Sequence, residues 1–432
     1  MFSHLQVYDR RERWMVGLAD AALGMAAAAL RPFGRGPSAS ASPRRILLLR
    51  LERIGDLLMS WPAIAAVRQL APEAQIDLVV GSWNESIARL LNGVSRVTTL
   101  DAAWLARGAA APRWPGLIRC ALAWRREGYD WAINFEGDIR SHLLMALSGA
   151  PRRIGFDMAG GGPVLTDRVP YDASSHVADN ALRLVERAFG VEVHRAVPRR
   201  YAEQRLAVPA AARQRANALL AELERGARVN PSDGPSEPVP PLVGIHVSGG
   251  RDVKQWDPVR FGDVAARLAV RHAARLVFTG SEGDRALVDV AMARLPAGTT
   301  AMHVCGRSDL LTMAALLERV AVFVTGDTGP MHLAAAVGTP LVAIFGPSDA
   351  RRWGPLSDNA RIITGDIECR PCNRIRRPPA RCADGMADCL AAVSVDQVVA
   401  VVEQSLAEAD RRDRAPVPGR GAATTEASDA AR

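Results

Sequence analysis

Residues 324–346, Val-Thr-Gly-Asp-Thr-Gly-Pro-Met-His-Leu-Ala-Ala-Ala-Val-Gly-Thr-Pro-Leu-Val-Ala-Ile-Phe-Gly, read as strand, tight polar turn, helix and strand. The apolar run from Val320 to Thr325 ends in Gly326-Asp327-Thr328-Gly329. A helix of small residues follows from Met331 to Val337, with Gly338 as its stop, and a second apolar strand runs from Pro340 to Phe345. Such a turn aims backbone N–H groups and the positive end of a helix dipole at the carboxyl edge of a parallel sheet, where α/β folds bind phosphate. Asp327 can cap and orient the turn, Thr328 and Gly329 can offer N–H groups, and His332 in the first helical turn can reach an anion bound there. A lone histidine on an apolar helix is ordinarily a core residue; its clustering with Asp327, Thr328 and Gly329 favours a functional one.

Working outward, strands and helices alternate twice. The first series predicts strands over 45–51, 75–81, 96–100, 129–135 and 153–156, with helices over 56–70, 84–91, 116–126, 139–148 and 176–189. The second predicts strands over 242–247, 275–279 and 300–304 and helices over 258–271, 284–294 and 310–319, before the motif above and a last amphipathic helix over 393–407. Between the series, residues 229–241 are turn-formers and prolines, which marks an interdomain linker. This predicts an N-terminal helix and flexible linker (1–43), two doubly wound α/β domains (44–228 and 242–409) and a polar tail (410–432). Two such domains imply a cleft with the site inside it.

The chain has 432 residues, enough for two full cores, and a net charge of +8 that suits an anionic partner. The basic residues lack the aromatic interleaving that stacks bases, so nucleic acid is not expected. No apolar run reaches the ~18 residues of a membrane span. The run from Trp14 to Leu30 is interrupted by Asp20 and follows three arginines; it reads as a helix, either lying on a membrane surface or packed on the first domain.

Four other stretches carry chemistry. After the first strand, Gly55 permits a tight turn and Asp56 opens a helix, where its carboxylate either caps that helix or accepts a proton from a hydroxyl in the cleft. After the first strand of the second domain, Ser248, Gly249 and Gly250 let backbone approach a phosphate, Lys254 supplies a charge and Trp256 a flat apolar surface; a plain glycine-rich turn is the alternative. Glu282 or Asp284, at the next strand end, can take a ribose hydroxyl or cap a helix. Cys369, Cys372, Cys382 and Cys389 lie in a basic loop, and their spacing admits zinc ligation, reduced thiols or disulfides. Cys120 and Cys305 sit in apolar contexts that predict burial.

Arg50-Leu-Glu-Arg-Ile-Gly-Asp-Leu-Leu58 with Trp61-Pro62, Ser-Gly-Gly followed by Lys254-Gln-Trp, Gly326-Asp-Thr-Gly-Pro-Met-His-Leu-Ala-Ala-Ala336 and Ile344-Phe-Gly-Pro-Ser-Asp349 together resemble glycosyltransferase family 9, the lipopolysaccharide heptosyltransferase family. The resemblance covers roughly residues 44 to 405, and the segment before Arg44 departs from the family's pattern. It implies a GT-B architecture, two Rossmann-like domains facing a central cleft, with the last helix crossing back to the first domain. It also implies inverting, metal-independent transfer of heptose or a related sugar, from ADP-heptose or another nucleotide sugar, to an anionic lipid-linked glycan such as a lipopolysaccharide core. No cofactor is required; zinc at the cysteine loop would be structural. Asp56 matches the family's general base, Lys254 the lysine at the donor phosphates, Asp327, Thr328, Gly329 and His332 the diphosphate loop, and Glu282 approximately the acid near the nucleoside. The place implied is the cytoplasm, peripheral on the inner membrane. A GT-B sugar-nucleotide epimerase of the non-hydrolysing type is the alternative chemistry, with a basic nucleic-acid-binding protein behind it.

Overall fold

The computed structural model describes residues 5, 7, 9–30, 42–105, 114–193, 204–226, 239–383 and 385–414. In chain order the first half runs α1 (Arg10–Leu30), β1 (Arg45–Arg50), α2 (Ile54–Leu70), β2 (Gln75–Val80), α3 (Glu85–Ala88), β3 (Arg96–Thr99), α4 (Trp114–Trp124), β4 (Trp131–Asn134), α5 (Ile139–Leu147), β5 (Arg152–Phe156), β6 (Asp167–Val169), α6 (Val177–Phe189) and α7 (Ala210–Gly226). The second half runs β7 (Leu242–His246), α8 (Pro258–His272), β8 (Arg275–Thr279), α9 (Arg285–Met292), β9 (Ala301–His303), α10 (Leu310–Leu317), β10 (Val322–Gly326), α11 (Gly329–Val337), β11 (Leu341–Phe345), α12 (Ala350–Trp353), β12 (Ala360–Thr364), α13 (Asp388–Ala391) and α14 (Val395–Arg414).

The strands form two six-stranded parallel sheets, ordered β3-β2-β1-β4-β5-β6 and β12-β11-β10-β7-β8-β9. Renumbered within its own half, each is the same doubly wound order, which reverses direction between its first and fourth strands. Those strands are buried on both faces, β7, β10 and β11 along their whole length, so they read as continuous apolar runs without alternation. The crevice at the reversal, outside the strands' carboxyl ends, is where this fold binds ligands. In the first sheet it lies between β1 and β4, and in the second between β7 and β10.

One helix pair joins the halves. Gly55 and Leu57 through Val67 of α2 are buried, as are Met331 through Val337 of α11. A helix buried all round carries no polar stripe, and α2 has none until Arg68. It is enclosed by α6 of its own domain and α11 of the other, and a single apolar core includes Trp61 and Ile64 with Met331 and Leu333.

Two expectations change. The last helix packs on α8 and over β10, β11 and β12, because Val398, Val399, Val402 and Leu406 bury into the second domain's core; it continues to Arg414 and does not return to the first domain. The crossing is made instead by the segment before α7, whose Leu206 N–H donates to the Ala336 carbonyl at 2.9 Å, and by α7, which packs on α10. The sequence reading omitted β6, α7, α12, β12 and α13. Most of the two linkers (31–41 and 229–238) and the tail beyond residue 414 lie outside the described residues. The N-terminal helix rests on the first domain, where Asp20 accepts from the Gly161 N–H at 2.6 Å, while its other side faces solvent. No helix among the described residues is long and apolar enough to cross a membrane.

Candidate active site

At the first sheet's reversal, the β1–α2 turn carries Glu52 and Asp56, and the end of β4 leads to Glu136. Arg50, only 4% exposed, lies between them. Its Nη1 donates to the Phe135 carbonyl at 2.7 Å and pairs with Glu52 at 3.0 Å. Its Nη2 stands 3.5 Å from the Asp56 carboxylate, and its Nε donates to the Asp56 carbonyl at 3.2 Å. Asp56 also accepts from the Arg53 N–H at 3.3 Å, so it does close the helix start; its other oxygen faces Arg50. About a quarter of its side chain remains open to the cleft, at 26%. Glu136 is buried and accepts the Leu51 N–H. Burial pushes its carboxyl up to about 8, helped by repulsion from Glu52, whose own carboxyl is raised by burial and by Asp56. One guanidinium thus serves three carboxyl groups, and the two outer ones hold protons more firmly than free acids do.

At the second sheet's reversal a lysine and a carboxylate pair with each other beside a histidine. Thr328 precedes α11 with extended backbone and no side-chain cap, which leaves the first N–H groups of the helix unsatisfied by that residue. Asp327 is 7% exposed, and its carboxylate pairs with the Lys254 Nζ at 2.8 Å across the β7 and β10 turns. His332 is 4% exposed with its Nδ1 unpartnered. Burial pulls its imidazole down to about 4, against the attraction of Asp327, so at neutral pH it is an uncharged ring. Ser248 is nearly buried and bonds Asp284, while Glu282 lies exposed with its carboxylate over the Gly306 backbone. An anion placed at this edge would meet the start of a helix, a lysine and a neutral donor-acceptor ring.

The two reversal points touch. A Cβ on Gly55 would lie 2.7 Å from His332 Cδ2, and one on Gly329 would lie 2.5 Å from Ile54 Cγ2. Both glycines are therefore required by close approach between domains. Residues 118–380 match the profile of glycosyltransferase family 9 (heptosyltransferase). The chain belongs to this family, and it is a glycosyltransferase of GT-B architecture.

The glycosyltransferase is 25% identical to lipopolysaccharide heptosyltransferase 2 of Escherichia coli, over 74% of this chain and 87% of that protein. It is also 25% identical to lipopolysaccharide heptosyltransferase 1 of Pseudomonas aeruginosa, over 76% and 86%. Its fold superposes on that of the E. coli ADP-heptose lipopolysaccharide heptosyltransferase II with a TM-score of 0.66, at 19% identity, covering 85% of this chain and 99% of that one. On the family 9 glycosyltransferase of Veillonella parvula the TM-score is 0.70, at 21% identity, covering 87% and 100%.

Several readings of single residues need correction. The Gly249 N–H donates to Gln255 at 2.6 Å and is spent holding its own loop. Trp256 is 1% exposed and packs edge-on against Phe261, so it belongs to the core and presents no surface to the cleft. Asp284 accepts the Ser281 N–H and hydroxyl as a cap; although burial opposes it, those bonds and Ser248 hold its carboxyl below the usual value. Cys369, Cys372, Cys382 and Cys389 line one apolar cavity of about 30 Å³ with Val253 and Pro347. Among the described residues, however, no three His, Cys, Asp or Glu side chains are arranged to hold a metal ion, and the zinc expectation lacks its ligand set. Burial, then repulsion from the neighbouring thiols, pushes the Cys389 thiol up to about 11. Cys305 is buried as expected, but Cys120 is exposed, since the apolar run around it in α4 faces outward.

Sequence reasoning passed over Arg50, Glu136 and His176. The first two flank the reversal at the ends of β1 and β4, a position that topology alone marks out. His176 accepts the Ala178 N–H on Nδ1 at 3.0 Å, which leaves its Nε2–H to donate to the Gly354 carbonyl of the second domain at 3.0 Å.

Proposed function

We propose that this glycosyltransferase moves heptose, or a closely related sugar, from ADP-heptose to a lipopolysaccharide core or similar lipid-linked glycan, with inversion and without a catalytic metal. One observation carries the reading: the turn bearing Asp56 and the turn bearing His332 abut across the cleft, each at its own sheet's reversal point. The acceptor hydroxyl gives its proton to Asp56 as its oxygen attacks the anomeric carbon, and the nucleotide diphosphate leaves on the opposite face. Lys254, released in part from Asp327, and the N–H groups at the start of α11 receive the developing charge, and His332 contributes its unpartnered ring nitrogen. Glu282, which lies beside Gly306, is assigned to the nucleoside in this reading. Names of the relatives support the donor and acceptor, since two of them are lipopolysaccharide heptosyltransferases and one structural neighbour is an ADP-heptose enzyme. The place of action is the cytoplasmic side of the inner membrane, with the enzyme peripheral to it.

The test is a thermal-shift panel of ADP-, UDP- and GDP-sugars on the full chain, followed by transfer assays with and without EDTA. ADP-heptose is expected to raise the melting temperature, because a ligand that binds only the native state stabilises it by RT ln(1 + [L]/Kd). EDTA is expected to leave transfer unchanged. Stabilisation by a UDP-sugar alone, or a changed sugar-nucleotide product formed without acceptor, would favour an epimerase and reject the reading.

A further inference from the structure

We propose that the outer faces of α1 and α4 together form one docking surface for an anionic phospholipid bilayer, a proposal that rests on the lipid-linked acceptor inferred above. Each helix buries one side in the first domain and exposes an apolar stripe on the other. On α1, Met15, Leu18 and Met25 are 65%, 60% and 71% exposed; on α4, Trp114, Ile118 and Leu122 are 45%, 38% and 42% exposed. Spacings of three, four and seven residues put each set on a single helical face. A contiguous exposed apolar stripe of this kind is a candidate contact surface.

The two stripes are joined through the packing between them. Val16 of α1 sits against Gly160, beside Ile139 at the start of α5. From α5, Arg140 lies within electrostatic reach of Glu12 and stacks over the Trp104 ring at 4.7 Å. Trp104 in turn stacks on Trp114, the first residue of α4, at 5.4 Å. The same ledge borders the acceptor side of the cleft, because Asp138, which pairs with Arg140, acts electrostatically on both Glu52 and Glu136. A glycan standing up from a bilayer on this face would enter the cleft from the side of Asp56.

Charge selects the partner. Arg10, Arg11, Arg119, Arg125 and Arg126 are exposed at the ends and flanks of the stripes. Among the acids nearby, Asp9 pairs with Arg377, Glu12 acts on Arg140, Asp20 holds the Gly161 N–H, and Glu127 pairs with Arg45 and Arg96. A second copy docking by two-fold symmetry would bring these like charges together, whereas an anionic leaflet complements them. No helix among the described residues is long and apolar enough to cross a membrane, and the proposed geometry is that of helices lying in the interface.

The experiment is co-sedimentation of the full chain with vesicles of phosphatidylcholine, alone or mixed with phosphatidylglycerol. Binding to the mixed vesicles is expected to be at least ~10-fold stronger. Leu18→Glu with Met25→Glu, and separately Ile118→Glu with Leu122→Glu, are each expected to weaken it ~10-fold, with unchanged melting temperature and unchanged transfer to a delipidated, soluble acceptor. Equal, weak binding of the wild type to both vesicles would overturn the proposal, as would double variants that bind like wild type. A wild-type dimer that the variants dissociate, with no vesicle binding, would assign the face to a second copy and overturn it too. Failure of soluble transfer in the wild type would reject the functional reading and leave the vesicle result standing.

Discussion

The two domains share a strand order and differ in what they place at its reversal. The first gathers Glu52, Asp56 and Glu136 around the buried Arg50; the second gathers Lys254, Asp327, His332 and the start of α11. One end is rich in carboxylates, the other in groups that welcome negative charge. The same backbone solution therefore serves opposite chemical needs, and the difference lies in a few residues on the turns after β1, β4, β7 and β10. On the proposed mechanism, proton removal and leaving-group stabilisation fall to separate domains, and the α2–α11 contact sets the distance between them.

The strongest way to break this division is to remove one group from each side. Asp56→Ala is expected to lower kcat by about a thousandfold, the scale of a lost general base, with ADP-heptose affinity nearly unchanged and a modest fall in melting temperature from the lost helix cap and Arg50 contact. Lys254→Ala is expected to cost about a hundredfold in kcat/KM and to weaken ADP-heptose binding as well, since the lysine meets the donor before and during transfer. Steady-state kinetics with calorimetric donor titration separates the two. A weakened donor affinity in Asp56→Ala would contradict its assignment to the acceptor side.

A smaller effect sharpens the comparison at the contact itself. Gly55→Ala puts a methyl 2.7 Å from the His332 ring, where overpacking costs about 1–3 kcal/mol. Thermal unfolding should show that loss, and transfer should fall by about tenfold as the turns separate. A fully active, fully stable Gly55→Ala enzyme would mean that the turns do not need this approach.

Much of this was legible in the chain. Apolar runs buried on both faces, such as Leu242–His246, and the polar turns after them revealed parallel strands and their ligand edge. The placement of Asp56, Lys254, Asp327 and His332 at the two reversal points was legible because each follows a strand end at a glycine-containing turn. What escaped was what depends on partners distant in sequence. Nothing local distinguishes Arg50 from any strand-terminal arginine until Phe135 and Asp56 are seen to receive it. Trp256 looked like a cleft surface because its neighbours are polar, yet Phe261 on the next helix draws it inward. The cysteine spacing admitted zinc, reduced thiols or disulfides, because spacing does not orient thiols; here they are free and pack around an apolar cavity.

The mildest expected effect uses pH to read the two ends apart. In the first domain, Glu136 rises from an ordinary 4.5 to about 8 through burial and the nearby Glu52. The folded state then binds more protons than the unfolded one across that window, so stability falls as pH rises through it. In the second domain, His332 drops from 6.5 to about 4 through burial, so the unfolded state binds more protons there and stability falls as pH drops through that window. Glu136→Gln keeps an oxygen for the Leu51 N–H and removes the ionisation. It is expected to raise the melting temperature by about 2 °C near pH 8, with the gain shrinking toward pH 4.5, while the acid-side loss from His332 persists unchanged. Melting curves of wild type and Glu136→Gln across pH 4 to 9 measure both limbs. A gain independent of pH would mean that Glu136 is ionised throughout, and that Arg50 neutralises the carboxylate end as fully as Lys254 and Asp327 neutralise each other.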